Sequence, residues 1–256
     1  MSAAARPPVR YSIRPGAPQT HRFTVRCIVA DPDPAGQCFA LPAWIPGSYM
    51  IREFARHVVS VRATRGGKPI TIDKIDKHTW LAAPGVGAIT VTIEVYAFDT
   101  SVRGAYLDAK RGFFNGPCVF LRVLGQEWRP CEIDIEPPPG ARYRDWRVGT
   151  SLARRGAKPY GFGGYVAADY DELIDSPVEL GPFTLATFRA HGVPHDIIIA
   201  GRHDADMRRL VRDVKVICEH QIDVFGRPAP IERSDHGATP ARRALRVGQS
   251  AARRWP

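Results

Sequence analysis

Zinc-dependent hydrolysis needs a His-Glu-x-x-His run on a helix, where histidines four residues apart hold the metal from one face and the glutamate polarises its water. His191-Gly-Val-Pro-His195 has the outer interval but no glutamate, and its glycine and proline oppose a helix, so it reads as a pair of hairpin-turn histidines. Glu219-His220 falls in a stretch of helical periodicity without a second histidine four residues away and reads as a solvated face. No Gly-x-Ser-x-Gly elbow presents a serine nucleophile. Gly161-Phe-Gly-Gly164 is too short for a dinucleotide fingerprint and has no strand-turn-helix around it. Cys27, Cys38, Cys118, Cys131 and Cys218 are odd in number and scattered, with no Cys-x-x-Cys, as expected of buried thiols in a cytoplasmic chain. The sequence therefore offers no catalytic residue and no set of metal or cofactor ligands.

The elements that would carry any site are mostly strands. His21–Ala30 alternates Phe23, Val25, Cys27 and Val29 against Arg22, Thr24 and Arg26, and Ala88–Phe98 alternates in the same way from Ile89 to Ala97. Val58–Thr64 ends in Arg65-Gly-Gly-Lys68, a tight hairpin turn followed by a returning segment at 69–73; a weaker strand is expected at 79–82, and Cys131, Ile133 and Ile135 alternate with Glu132, Asp134 and Glu136 in a strand that Pro137 stops. Residues 150–168, rich in glycine, alanine and basic side chains, read as a mobile loop, and 169–174 as one helical turn. Strands 183–191 and 195–200 form a hairpin through Gly192-Val-Pro194. From Asp204, an expected cap, Met207, Leu210, Val211, Val214, Ile217 and Cys218 recur at helical spacing until Gly226 and Pro228. The fold class is thus mainly β, an antiparallel sandwich or saddle over residues 1–201, followed by an opening helix and turn at 202–230 and an unstructured basic tail at 231–256.

The stiffest stretch is Pro42-Ala-Trp-Ile-Pro-Gly-Ser-Tyr49, where two prolines and Gly47 fix a loop bearing Trp44, Ile45 and Tyr49, as expected of a corner pinning two layers. No apolar run is long enough to cross a bilayer, and Met1–Pro8 has no apolar segment of the secretory kind. The net charge of +10 invites a nucleic-acid reading, but the tail alone supplies +4 through six arginines against Glu232 and Asp235. The remaining charge is scattered over strands, and Arg142-Tyr-Arg-Asp-Trp-Arg147 is the one basic–aromatic interleave, which a solvated sheet face also produces.

Together with Arg111-Gly-Phe-Phe-Asn-Gly116, Asp175-Ser-Pro-Val-Glu-Leu-Gly181 and Asp223-Val-Phe-Gly-Arg-Pro228, the Pro42–His57 stretch resembles the N-terminal region of the glycyl aminopeptidase family of zinc metallopeptidases, peptidase family M61. The resemblance runs in order over about the first 230 residues and then stops. It implies a β-rich domain packed on a thermolysin-like catalytic domain that holds the zinc, with residues 204–230 as the opening of that second domain, and release of glycine or other small residues from peptide N-termini. It further implies that a loop of the β domain, here the one holding Arg111, Phe114 and Asn115, faces the substrate's free amine. The expected state is a truncated, inactive front end whose tail reads as out of frame, whose helix leaves an apolar stripe uncovered, and whose partner is a peptide N-terminus once a catalytic domain is present. The alternative from the residues themselves is a free-standing β-sandwich module that binds a peptide or protein along an open sheet edge.

Overall fold

The computed structural model describes residues 6–48 and 50–226, together with the backbone of Arg243–Ala244. Its largest sheet has eight strands in the spatial order Ala153–Arg154, Gly163–Ala167, Cys131–Ile135, Val9–Ala17, Arg22–Val29, Ile89–Tyr96, Val58–Arg65 and Lys68–Ile70. The strict alternation of the central strands explains their place: Phe23, Val25, Cys27, Val29, Ile89, Val91, Ile93 and Val95 are all buried, while Arg22 and Arg26 face water. Gly66 and Gly67 take φ of +56° and +79°, the left-handed pair that a two-residue hairpin turn demands. Within this sheet one pairing departs from the antiparallel expectation: Val9–Ala17 runs parallel to Cys131–Ile135, because the chain leaves the sheet after Tyr96 and re-enters it beside its first strand.

Two four-stranded sheets close over the first. One has the order Arg122–Val123, Cys38–Ala40, Thr79–Ala82 and Ile72–Lys74; the other has Arg147–Thr150, Val178–Gly181, Gly112–Phe114 and Ala105–Leu107. All three contribute to a single hydrophobic core that includes Ile13, Phe23, Phe39, Leu107, Phe114 and Phe120. Two buried tyrosines tie the layers with their hydroxyls, Tyr11 donating to the Leu121 carbonyl and Tyr170 to that of Phe120, each at 2.8 Å. The Pro42–Ser48 loop is anchored by Ile45, which is buried, and by the Arg52 amide donating to the Ala43 carbonyl. Trp44 lies outward instead, about half exposed, with its indole N–H on the Ser48 carbonyl. Tyr49 is outside the described residues.

Residues 150–168 are not a mobile loop. They form the two strands at that edge of the large sheet, and Tyr165 is buried there with its hydroxyl donating to Gly161. The glycines that read as flexibility serve close approach: a Cβ at Gly164 would lie 2.5 Å from the Arg155 carbonyl oxygen. Asp169 caps the short helix Tyr170–Ile174 by accepting from the Glu172 amide.

Beyond the core, Phe183–Ala190 and Val193–Ala200 form the hairpin, which turns at His191-Gly192 rather than Gly192–Pro194. His195 is therefore a buried strand residue, not a turn histidine. The helix Met207–Phe225 is capped by Asp206, not Asp204; its carboxylate accepts from the amides of Arg208 and Arg209. Val214, Cys218 and Ile222 pack on Phe188, Ala190 and Val193 of the hairpin, so part of the stripe expected to stand open is covered within the chain, while Ile217 remains 48% exposed. The tail expected to be unstructured lies outside the described residues apart from Arg243–Ala244, whose backbone pairs in parallel with His195 and Asp196.

Candidate substrate-facing cleft

Three of the strands just described build one cleft. Asp108 shapes the turn between Ala105–Leu107 and Gly112–Phe114: its Oδ1 accepts from the amides of Lys110 and Arg111 at 2.7 and 2.8 Å, and its Oδ2 from the Tyr106 hydroxyl at 3.0 Å. Burial works to raise the Asp108 carboxyl, but the N–H groups of Arg111 and Lys110 outweigh it and hold the pKa below the usual carboxylate value. Burial, and then the bond to Asp108, push the Tyr106 phenol up. The turn is thus locked at neutral pH, with Asp108 charged and Tyr106 protonated.

That turn presents Arg111 across to the neighbouring strand, where Nε and Nη2 each meet an oxygen of Glu179 at 3.0 Å. The guanidinium also stacks over the Tyr106 ring, 5.5 Å from its centre. The pair is two-pronged and rests on three adjacent strands, which fixes its direction far better than a single exposed ion pair would. The cleft above it, about 360 Å³, is closed on one side by Ser101 and Val102 and on the other by Ile198 and Ile199 of the hairpin. Gly149 is part of its floor, and the Ile198 side chain packs so closely on it that a Cβ would clash.

Of the three residues expected to face substrate, only Arg111 lines this cleft, with its side chain 40% exposed. Phe114 is completely buried, edge-on to Phe23 and Phe120. Asn115 is buried as well, and its Nδ2 donates to the carbonyls of Val102 and Gly104, so it braces the loop beside the cleft from within. Asn115 is extended and Gly116 opens a short 3-10 helix, where the glycine is needed because a Cβ would lie 2.6 Å from the Ile174 Cα. The missed residues are Tyr106, Phe113 and Glu179. Alternation carried their signal: in Val178-Glu-Leu180 the apolar pair is buried and Glu179 must point the other way.

The cleft offers a fixed cation–carboxylate pair, an aromatic face and an apolar arch. Zinc does not fit the described residues. His191 sits at the hairpin turn with Nε2 3.1 Å from the Asp223 carboxylate, whereas His195 is stacked on Phe188 with Nδ1 on the Val193 carbonyl. Among the described residues no three His, Cys, Asp or Glu side chains converge as metal ligands. No helix among them is long and apolar enough to cross a membrane.

The fold has known counterparts. An aminopeptidase N family protein from Idiomarina loihiensis superposes with a TM-score of 0.80 at 38% identity, over 85% of this chain and 36% of that one. The chain therefore spans about a third of that relative's length. An M1 zinc metallopeptidase from Deinococcus radiodurans (TM-score 0.46, 12% identity, 84% of this chain and 53% of that one) and aminopeptidase A from Legionella pneumophila (0.47, 10%, 84% and 26%) are similar at a greater distance. No curated protein sequence matches the chain. The peptidase M61 N-terminal domain matches residues 10–182, a span that holds the three sheets, Arg111 and Glu179. With a match of that extent, the chain belongs to the peptidase M61 family through its N-terminal domain.

Proposed function

We propose that this chain forms the non-hydrolytic wall of an M61-type aminopeptidase cleft, receiving the N-terminal end of a peptide while another part of the enzyme supplies zinc and the catalytic glutamate. The supporting observation is the Arg111–Glu179 pair set at the floor of an apolar-rimmed cleft inside the span of the family domain. In this reading Glu179 attracts the substrate's ammonium, Arg111 holds Glu179 in place, and the first residue, glycine or another small one, sits among Val102, Phe113 and Ile198 of the cleft lining. The chain by itself performs no hydrolysis, and its zinc belongs to the part of the family enzyme outside the described residues.

Two measurements test this. The chain, assayed with glycine p-nitroanilide and added zinc, should release no product above the zinc-only background; zinc-dependent turnover would overturn the assignment. Titration with glycyl-glycine should show binding that weakens about tenfold or more in Glu179→Gln, a loss of at least ~1.4 kcal/mol. N-acetylation of the peptide should abolish it. Equal affinity for free and acetylated peptide would remove the amine-recognition role.

A further inference from the structure

A second cavity, of about 300 Å³, is built around the residues that follow the proline-stiffened loop. Its frame is fixed by the Arg52 amide on Ala43, by Glu53 in a left-handed conformation with φ of 45°, and by Phe54 and Ala55, both buried. Phe54, Val95 and Tyr96 give it an apolar wall, against which Arg52, Arg56 and His57 bring nitrogen.

Two guanidiniums and two carboxylates, Glu53 and Asp99, share the lining, but they are not joined in ion pairs. Arg56 donates from Nε to the Nε2 of His57 at 3.2 Å, which leaves the imidazole proton on Nδ1. Burial, and then the Arg56 charge, lower the His57 pKa against the opposing pull of Asp99, so the cationic groups of the cavity are its guanidiniums. Among the described residues the side chain of Arg52 makes one polar contact, to the Met50 sulfur 3.9 Å from Nη2, and its Nε is buried without a hydrogen-bond partner among them. Among the described residues no carboxylate pairs with Arg52 or Arg56. The two acidic groups at hand are engaged elsewhere, Glu53 with Lys77 at 2.7 Å and Asp99 with the Ser101 amide at 2.8 Å. The Asp99 side chain also packs tightly over Gly104.

A guanidinium without its carboxylate, beside an apolar wall, matches a ligand that carries a carboxylate on an apolar body. We infer that this cavity is a carboxylate-binding site held by Arg52 and Arg56. Two sources share that chemistry, a small organic acid and the C-terminal carboxylate of a peptide. The site stands on its own geometry and does not depend on the peptide-amine reading of the first cleft.

Calorimetric titration of the chain tests it, with phenylacetate as the acid, N-acetyl-alanyl-phenylalanine as the chain end, and phenylacetamide as the uncharged control. Phenylacetate or the peptide should bind saturably, about tenfold or more tighter than phenylacetamide, with a similar loss in Arg52→Gln and a partial one in Arg52→Lys. Arg62→Gln, at an exposed strand position, should change nothing. Should Arg52→Gln fail to fold by circular dichroism, Arg56→Gln, on the exposed side of the cavity, carries the same expectation. The tighter of the two acids identifies the source. Equal binding of acid and amide, unchanged affinity in the arginine variants, or no binding below roughly 50 mM overturns the site.

Discussion

Arg111 and Phe114 stand three residues apart and serve opposite purposes, which their roles as side chains make plain. Arg111→Ala strands Glu179, whose carboxylate is only 14% exposed, without its cation. Arg111 itself is substantially exposed, so solvent screening holds the stability cost to about 1 kcal/mol, and the larger effect should be on peptide affinity. Phe114→Ala should cost about 3–5 kcal/mol, because the ring is fully buried between Phe23 and Phe120. Gly116→Ala should cost about 1–3 kcal/mol, since the helix backbone at Leu173 and Ile174 has to shift. Thermal melts of the three variants check the order: Arg111→Ala mildest, Phe114→Ala most severe. A Phe114→Ala protein melting with the wild type would show the ring to be mobile and available to ligand. The Arg111–Gly116 run was legible as important because of its composition. Which residue faced the cleft was not, since that depends on strand phase: in Gly112–Phe114 it is Phe113 that lines the cleft, while Phe114 enters the core.

At the level of elements, the helix Met207–Phe225 and the hairpin behind it form a small unit with its own cluster of Ala190, Cys218 and Ile222, apart from the main core. Periodicity announced the helix, and the alternating runs announced the central strands, because both signals are local. The parallel pairing of Val9–Ala17 with Cys131–Ile135 and the ordering of 150–168 were hidden, because they depend on a distant partner and on glycines that permit close backbone contact. The partial covering of the helix was hidden for the same reason, since no periodicity shows that Ala190 and Val193 will meet Cys218 and Ile222. A cluster this small predicts opening of the helix before the main sheet. Ile222→Ala should remove about 2–4 kcal/mol of local stability and accelerate amide exchange throughout 207–225. Exchange in Arg22–Val29 and Ile89–Tyr96 should stay as in wild type. Equal acceleration in those strands would mean that helix, hairpin and sheets unfold as one unit.

For the whole molecule, the buried hydroxyls and thiols set an alkaline limit. Tyr11, Tyr170 and Cys27 are fully buried, and burial is the main cause that raises the pKa of each. Burial likewise lifts Cys131 and Tyr165, each to about 12, from ordinary values of 9.0 and 10.0. All five are protonated in the fold across the neutral range. Because each folded pKa lies above its unfolded counterpart, their contribution is complete below about pH 9 and is lost as pH rises, when unfolded chains release protons that the fold retains. Each group steepens the loss toward about 1.4 kcal/mol per pH unit once its unfolded form has ionised, until its folded pKa is reached. Net charge acts in the other sense: at +10 near neutrality, rising pH first relieves repulsion between cations. The two effects separate cleanly in urea titrations at dilute protein. The midpoint should hold level or rise slightly from pH 7 to about 8.5, then fall steeply toward pH 11. Tyr170→Phe should lower the neutral midpoint, through loss of the bond to the Phe120 carbonyl, and flatten the alkaline fall. A midpoint that stays level to pH 11 would mean that the tyrosine and cysteine interior is open to water.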